Sequence, residues 1–216
     1  MGIKNNFLSV ICLGNFNPSI LTPQFLSETF GIKFEKEPKF QLTPVLATVD
    51  CGDVLFLAEL EKLQIVNKNL DDFRKTKIID YFEQYLEVLK YTPIFVCGIN
   101  LNTEVSVSGS AYLKNFKDKA KIFESLETNE LTIDYKETIS KDGREDWISY
   151  NFEFVGKDNT VFRLNFRKKD VNVAVNFNFE VKDLETDRTR IKMISRNFEY
   201  LIQRNEKILN SFFRDR

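Results

Sequence analysis

The sequence contains no histidine, and only three cysteines and eight glycines occur among its 216 residues. Without histidine, the chain cannot build a Ser-His-Asp or Cys-His catalytic arrangement or a histidine-based metal site. Three scattered cysteines cannot supply a four-thiolate zinc site. The glycine-rich loops that hold nucleotide phosphates, Gly-x-Gly-x-x-Gly and the Walker motif, are missing as well. These absences argue against several enzyme classes, and we predict neither an enzymatic activity nor a cofactor.

Long apolar runs and a surplus of one charge are also lacking. The apolar run from Phe7 to Leu13 is too short to span a bilayer, and the start does not resemble a secretory leader. The chain has 31 basic and 32 acidic residues, so nothing attracts it generally to nucleic acid or to anionic lipid. We therefore predict a cytoplasmic protein that does not associate with membranes, and for which nucleic acid is an improbable partner.

The cysteines Cys12, Cys51 and Cys97 are odd in number and far apart in sequence. Cys12 and Cys97 lie inside apolar, strand-like runs. Buried cysteines in cytoplasmic proteins are usually reduced. The expectation is therefore three reduced thiols, of which at least two are buried.

Alternation of apolar and polar residues dominates the second half of the chain. A period of two residues, with aromatic and β-branched side chains at every second position, is typical of half-buried antiparallel strands. Four stretches show it, at residues 131–139, 148–154, 162–166 and 171–181. A helix with one apolar face is predicted to follow, from about Thr186 to Phe213.

The first half shows a similar order of elements. A buried strand from Phe7 to Gly14 precedes a short helix, which Thr22 caps, Pro23 begins and Gly31 ends. Residues 32–40 are charged and indicate a loop or an irregular edge. The further predicted elements are strands at 44–50, 54–60 and 62–66, a long amphipathic helix that ends before Pro93, a strand at 93–99 with 104–107 continuing it or pairing back on it, and a helix within 109–129.

These patterns predict an α+β fold in which antiparallel meanders are each followed by a long helix. The repeated order suggests two structural halves, 1–108 (β-α-βββ-α-β) and 109–216 (α-ββββ-α), within a single compact domain 1–216. Meanders that are each covered by one helix would form two layers. With 21 phenylalanines, the core is expected to be rich in aromatic residues.

The stretch Gly14-Asn-Phe-Asn-Pro-Ser-Ile-Leu-Thr-Pro23 resembles the opening of a bacterial protein family without an established activity. The strand that ends in Leu63-Gln-Ile65 and the stretch Phe82–Asn100, with Thr92-Pro93 and Gly98-Ile-Asn100, are similar to that family too. The resemblance covers roughly residues 7–105, and in the second half only the order of strands and helix agrees. It implies a bacterial, intracellular protein and no catalytic residue.

Three groups of polar residues are candidate sites. Asn15, Asn17 and Asn100 follow or end buried strands, where asparagine caps the local backbone or forms a rim that contacts a ligand. Further polar residues are predicted on the outer face of the second-half strands or on the basic last helix: Asn151, Arg163, Asn165, Arg167, Asn176, Asn178, Arg196, Arg204 and Asn205. Such a surface is either simply solvated or binds a partner. Asn205, near the apolar stripe, suggests a helix–helix contact.

The carboxylates Asp50, Asp53, Glu59 and Glu61 surround the first hairpin. Paired carboxylates bind divalent cations or act as acids and bases, although solvated acids are common at turns. A carboxylate-dependent metal hydrolase is therefore one functional hypothesis, and we rank it third of three.

The first-ranked hypothesis is a non-enzymatic protein that acts through protein–protein binding, as a homodimer or an accessory subunit. The second is a small-ligand or nucleotide-binding module with an aromatic-lined pocket between sheet and helix.

Overall fold

The computed structural model describes residues 2–34, 36–106, 138–139, 148–155, 160–169, 172–185 and 187–213. Ten strands are described: β1 Gly2–Gly14, β2 Lys39–Leu42, β3 Leu46–Asp50, β4 Val54–Glu59, β5 Lys62–Lys68, β6 Ile94–Ser106, β7 Thr138–Ile139, β8 Ile148–Val155, β9 Thr160–Lys169 and β10 Asn172–Val181. Four α-helices are described: α1 Pro23–Phe30, α2 Ile78–Val88, α3 Met193–Arg196 and α4 Phe198–Phe213. Short 3-10 helices span Pro18–Ile20, Phe73–Lys75 and Arg188–Lys192.

The ten strands form one sheet in the order β2-β3-β4-β5-β1-β6-β10-β9-β8-β7, and every pairing is antiparallel. Strands β1 and β6 pair at the centre, and each is followed along the chain by a four-stranded meander on its own side. The order of strands is therefore symmetric about the β1/β6 pair. This confirms the α+β class, and the two halves share one continuous sheet. The helix predicted within 109–129, and most of the strand predicted at 131–139, lie outside the described residues.

Local sequence explains helix α1 well. Thr22 Oγ1 accepts a hydrogen bond from the backbone N–H of Phe25 at 3.1 Å, and Pro23 occupies the first turn, where its missing N–H costs nothing. Gly31 ends the helix with φ of 64°, a left-handed conformation that glycine adopts readily, and its N–H donates to Ser27 O at 3.1 Å. The predicted boundaries are confirmed.

The final helix differs from the prediction of one continuous element. It starts as the 3-10 helix Arg188–Lys192, continues as α3 and is interrupted at Asn197 before α4. Asn197 Nδ2 donates to Met193 O at 2.9 Å, so the side chain competes for a carbonyl of the preceding turn. Asparagine side chains readily form hydrogen bonds to nearby backbone groups, which explains why the helix is interrupted at this residue.

Several strands are longer than predicted, β1, β6 and β9 by the most, and β2 is new. β1 begins at Gly2 rather than Phe7, with a register shift between Asn5 and Phe7, and β6 continues without a break to Ser106. The polar residues at these strand ends hide the alternation, and pairing between β1 and β6 determines the conformation instead. The edge strand β2 overlaps the end of the segment predicted as a loop or an irregular edge.

The helices cover one face of the sheet. Leu8, Val10 and Cys12 of β1 belong to a single buried core together with residues of both meanders and of helices α1, α2, α3 and α4. Aromatic rings make up much of the packing under α1 and α2, where the Phe30 and Phe56 rings stack at 5.7 Å. The arrangement has two layers, as expected when each meander buries one face under a helix.

The cysteine prediction was wrong in one respect. Cys12 and Cys97 are buried, but they form a disulfide, and Cys51 is the free cysteine. They are directly opposite each other in the β1/β6 pair, with their Cα atoms 4.2 Å apart. A separation of 85 residues in the sequence hid this pairing, which only the register of the central strands reveals.

Candidate functional site

The candidate site is the face of the sheet opposite the helices, which we call the open face. Successive side chains of a strand point to opposite faces, so residues that alternate with the core residues of each strand lie on this second face. In β1, Ser9 and Ile11 alternate with Leu8, Val10 and Cys12. In the described part of the chain, the helices pack on the core side and none packs here.

The first meander and the central strands give the open face an apolar strip. Its members are half-buried and lie outside the core: Phe7, Ile11, Leu46, Leu55, Leu57, Val66 and Val96. Leu13, at the end of β1, is 44% exposed. A contiguous apolar surface of this kind, spread over five neighbouring strands, is characteristic of an interaction site.

A row of asparagines crosses the second part of the open face. The register places Asn102 of β6, Asn176 of β10, Asn165 of β9 and Asn151 of β8 side by side. Asn6 of β1 extends the row, because its Nδ2 donates to Asn102 Oδ1 at 3.0 Å. Asn102 Nδ2 in turn donates to Asn176 Oδ1. We call these five residues the asparagine row.

The asparagine row includes two residues that the sequence did not single out, Asn6 and Asn102. The signal for Asn102 was present, since Asn100, Asn102 and Glu104 alternate with residues of the core. This alternation can be recognised only when β6 is known to extend to Ser106. No comparable signal existed for Asn6, which lies at the register shift in β1.

A second row lies one step along the strands. Ser9 faces Asn100, Asn100 faces Asn178, Asn178 faces Arg163 and Arg163 faces Glu153. Arg163 Nε donates to Glu153 Oε2 at 2.7 Å, and its Nη1 donates to Glu180. Burial opposes the charge of Arg163, but these two carboxylates outweigh it and raise the guanidinium pKa. Its charge is therefore balanced within the face.

Ser9 and Asn100 leave polar atoms without partners at the centre of the open face. Ser9 is fully buried, and neither Ser9 Oγ nor Asn100 Oδ1 has a hydrogen-bond partner in the described structure. A buried polar atom without a partner costs about 1–3 kcal/mol. Native proteins keep few such atoms, so each needs an explanation. Here both lie in directly paired residues of the two central strands.

The three rim residues are not brought together. Asn17 Oδ1 accepts a hydrogen bond from Ser19 N at 3.0 Å, so Asn17 caps the 3-10 helix Pro18–Ile20. Asn15 is exposed and donates its backbone N–H to Pro93 O at 2.9 Å. Asn100 lies in the middle of β6 rather than at its end, because that strand continues to Ser106, and it belongs to the open face.

The polar residues of the second meander are on one face, but those of the last helix lie elsewhere. Register positions put Asn151, Arg163, Asn165, Arg167, Asn176 and Asn178 on the open face. Arg196 and Arg204 belong to the helix layer, and Arg204 Nη1 donates to Tyr200 Oη at 2.7 Å. Asn205 is not a surface residue: only 1% of it is exposed, and its Oδ1 has no hydrogen-bond partner in the described structure.

The carboxylates around the first hairpin do not form one site. Asp50 faces Leu55 at one end of β4, and Glu59 faces Leu46 at the other end. The stretch of strand between them spans about 13 Å at 3.3 Å per residue. Asp50 Oδ1 accepts hydrogen bonds from Lys68 Nζ at 2.8 Å and Gly52 N at 3.0 Å, and the bond with Lys68 is the main reason why its pKa is lowered. In the described part of the chain, no group of carboxylates or cysteines is arranged to hold a metal ion.

The comparisons with known proteins add little. No protein-family model matches the chain, and no curated protein matches it, which agrees with the resemblance to a family without an established activity. Among solved structures, the crystal structure of Clostridium acetobutylicum aspartate kinase, titled an important allosteric enzyme for industrial amino acids production, is matched with 11% identity and a TM-score of 0.21. The match covers 98% of this chain and 34% of that chain. A similarity this weak carries no argument. Among the described helices, none is long and apolar enough to cross a membrane.

Proposed function

We propose that this protein is a non-enzymatic accessory protein that binds a protein partner through the open face. The observation that carries the proposal is the apolar strip, whose half-buried side chains lie on five neighbouring strands and end at Leu13, which is 44% exposed. A docked partner would bury this strip and would contact the polar rows beside it. Apolar contacts around a few well-placed polar groups are the usual composition of a protein interface.

The balance of charge favours a protein over a nucleic acid. Lys68 pairs with Asp50 at 2.8 Å and Lys62 pairs with Glu59 at 3.1 Å, all four at open-face positions. Arg163 is neutralised by its two glutamates. Nucleic-acid affinity depends on cations that neutralise phosphates, and these cations are already paired. The protein that docks on the open face is either a different protein or a second copy of this chain.

The small-ligand module remains the alternative proposal. It requires an aromatic-lined pocket between sheet and helices. The large side chains of Phe56, Phe82 and Tyr85 are among the most completely buried in the molecule, so they fill that space. The described groove beside Phe82 lies between helical segments instead. The alternative therefore has less support than the open face.

A cytoplasmic, bacterial setting is part of the proposal. The disulfide argues for an oxidising compartment, since cytosolic thiols are normally kept reduced. Its two cysteines are at most 1% exposed, however, so a bridge once formed is shielded from soluble reductants. Fractionation of cells that produce the protein would decide the question. Recovery with a cytoplasmic marker would support the proposed setting, and recovery in a periplasmic or secreted fraction would contradict it.

A site-specific cross-link tests the proposed surface. A photoreactive residue at Gln64, which pairs with Ile11 and Leu57 on the open face, should capture a partner in cells. The same residue at Ser27, exposed on α1, is the matched control. Ile11→Lys should abolish the Gln64 cross-link, whereas Tyr91→Lys, at a residue that is 86% exposed on the surface, should not. Capture from Ser27 but not from Gln64 would contradict the proposal.

A further inference from the structure

A groove with a volume of about 820 Å³ lies in the helix layer, between α2 and the segment Arg188–Arg196. Apolar side chains line part of it, including Phe82, Leu86 and Ile191. Val88 also lines it and is 52% exposed. Because this groove is in the helix layer, it is separate from the open face.

The two walls of the groove carry pairs of opposite charges at the same spacing, and Lys90 lies beyond the acidic pair at the end of its wall. Glu83 and Glu87 are four residues apart on α2, and Lys192 and Arg196 are four residues apart on the opposite wall. All four are exposed. Within the part of the chain that the structure describes, no ion pair connects the walls, although Glu87 and Arg188 attract each other electrostatically. The side chains of Glu83, Lys192 and Arg196 take part in no hydrogen bond or ion pair there, so their charges are available to a partner.

Arg188 fixes one wall relative to the other. Its guanidinium donates to Thr92 O at 2.6 Å and to Leu89 O at 3.1 Å, at the C-terminal end of α2. A cation at this end of a helix satisfies carbonyls that lack an intrahelical partner. The segment that carries Lys192 and Arg196 is thus anchored to the helix that carries the glutamates, and the groove is preformed.

We propose that this groove is the contact surface of a homodimer, in which a second copy is related to the first by a two-fold axis along the groove. That rotation places Glu83 and Glu87 of one copy over the partner subunit's Lys192 and the partner subunit's Arg196. By symmetry, the basic pair of the first copy faces the acidic pair of the second. A two-fold axis across the groove would instead oppose like charges. Exposed apolar surface beside these charges, such as Val88, is then buried within a charged rim, the usual anatomy of an interface.

A second copy is the occupant because the surface is complementary to itself. A two-fold interface uses the same patch on both subunits, so it needs opposite charges within one patch. This groove carries both, at matching spacing, and complementary charge both steers association and excludes other registers. The inference goes beyond the proposed function, since both open faces of such a dimer stay available for partners.

Charge reversal with mixing is the test, read as molar mass by light scattering during size exclusion. The wild-type chain should be a dimer that dissociates as salt is raised, because salt screens exposed charges. Glu83→Lys with Glu87→Lys, and separately Lys192→Glu with Arg196→Glu, should each weaken dimerisation about tenfold or more. An equimolar mixture of these two variants should form a heterodimer. The variant that carries all four changes should again form a homodimer.

Several outcomes would overturn the inference. One is a wild-type chain that is monomeric at its highest soluble concentration. Another is a mixture that fails to associate although circular dichroism shows both variants to be folded. A third is a dimer that survives both charge reversals and is disrupted by Ile11→Lys. This last result would move self-association to the open face and leave the proposed function intact, whereas loss of the Gln64 cross-link alone would leave the groove dimer intact.

Discussion

Cys12 in β1 is joined by a disulfide to Cys97 in β6, the two strands through which the halves of the sheet meet. The bridge closes a loop across 85 positions of sequence. Such a constraint lowers the entropy of the unfolded chain, with a contribution of about 4.6 kcal/mol for a loop of this length in the chain-entropy model. The disulfide therefore holds together the centre of the sheet.

Removing the bridge should destabilise the protein substantially. We expect Cys12→Ala with Cys97→Ala to lower the free energy of unfolding by about 2–5 kcal/mol, measured by urea denaturation without reductant. Cys51→Ala is the control and should change the free energy of unfolding much less.

Thiol counting tests whether the disulfide is present: denatured, unreduced protein should show one free thiol and reduced protein three. In the native state even that thiol should react slowly, because burial raises the pKa of Cys51 to about 11. Three free thiols without reduction would contradict the bridge.

Ser9→Ala should separate stability from binding. Ser9 Oγ is buried without a partner in the described structure, so its removal deletes an unsatisfied polar atom and should leave the free energy of unfolding unchanged or raise it by about 1 kcal/mol. If the open face binds a partner, the same change should leave that binding unchanged, because the buried hydroxyl is out of a partner's reach. Thr48→Ala, on the same face of β3, is a control for loss of a hydroxyl away from the centre. A clear loss of stability in Ser9→Ala would show that the hydroxyl has a structural role.

Tyr85 should make stability fall at alkaline pH. Its hydroxyl is buried without a partner in the described structure, and burial raises its pKa from 10.0 to about 12. The unfolded chain releases this proton more readily than the folded one. The stabilisation is therefore complete below pH 10 and is lost as pH rises through the folded pKa, by about 2–3 kcal/mol in total. Near neutral pH, the free energy of unfolding of Tyr85→Phe should equal that of the wild type or exceed it by about 1 kcal/mol, and it should decline less between about pH 10 and 12. Tyr91→Phe, at a largely exposed position, is the control, and parallel curves for wild type and Tyr85→Phe would contradict the expectation.

The sequence predicted those parts of the fold that depend on local patterns. The cap at Thr22, the end at Gly31 and the alternation in the second meander are properties of neighbouring residues, and all agree with the structure where it is described. The β1/β6 pairing is a long-range contact, and no local pattern reports it. The disulfide, the full length of β6 and the row that joins Asn6 to Asn102 all follow from that pairing. The open face could therefore be predicted as a polar surface of the second half, but its apolar strip and its centre at Ser9 and Asn100 could not.

Arg74 connects the two halves in a second place, on the surface of the helix layer. Its guanidinium binds both carboxylate oxygens of Glu206, at 2.7 and 3.0 Å, and Glu199 at 3.0 Å. These two glutamates raise the pKa of Arg74, but all three side chains are more than a third exposed, so solvent screens the interaction.

We expect Arg74→Met to lower the free energy of unfolding by about 0.5–1 kcal/mol at low salt and by less at high salt. A double-mutant cycle with Glu206→Gln should give a coupling energy of the same size, since the two-point contact fixes the geometry of the pair. A coupling that does not change with salt would show that Arg74 acts through packing of its aliphatic stem rather than through its charge.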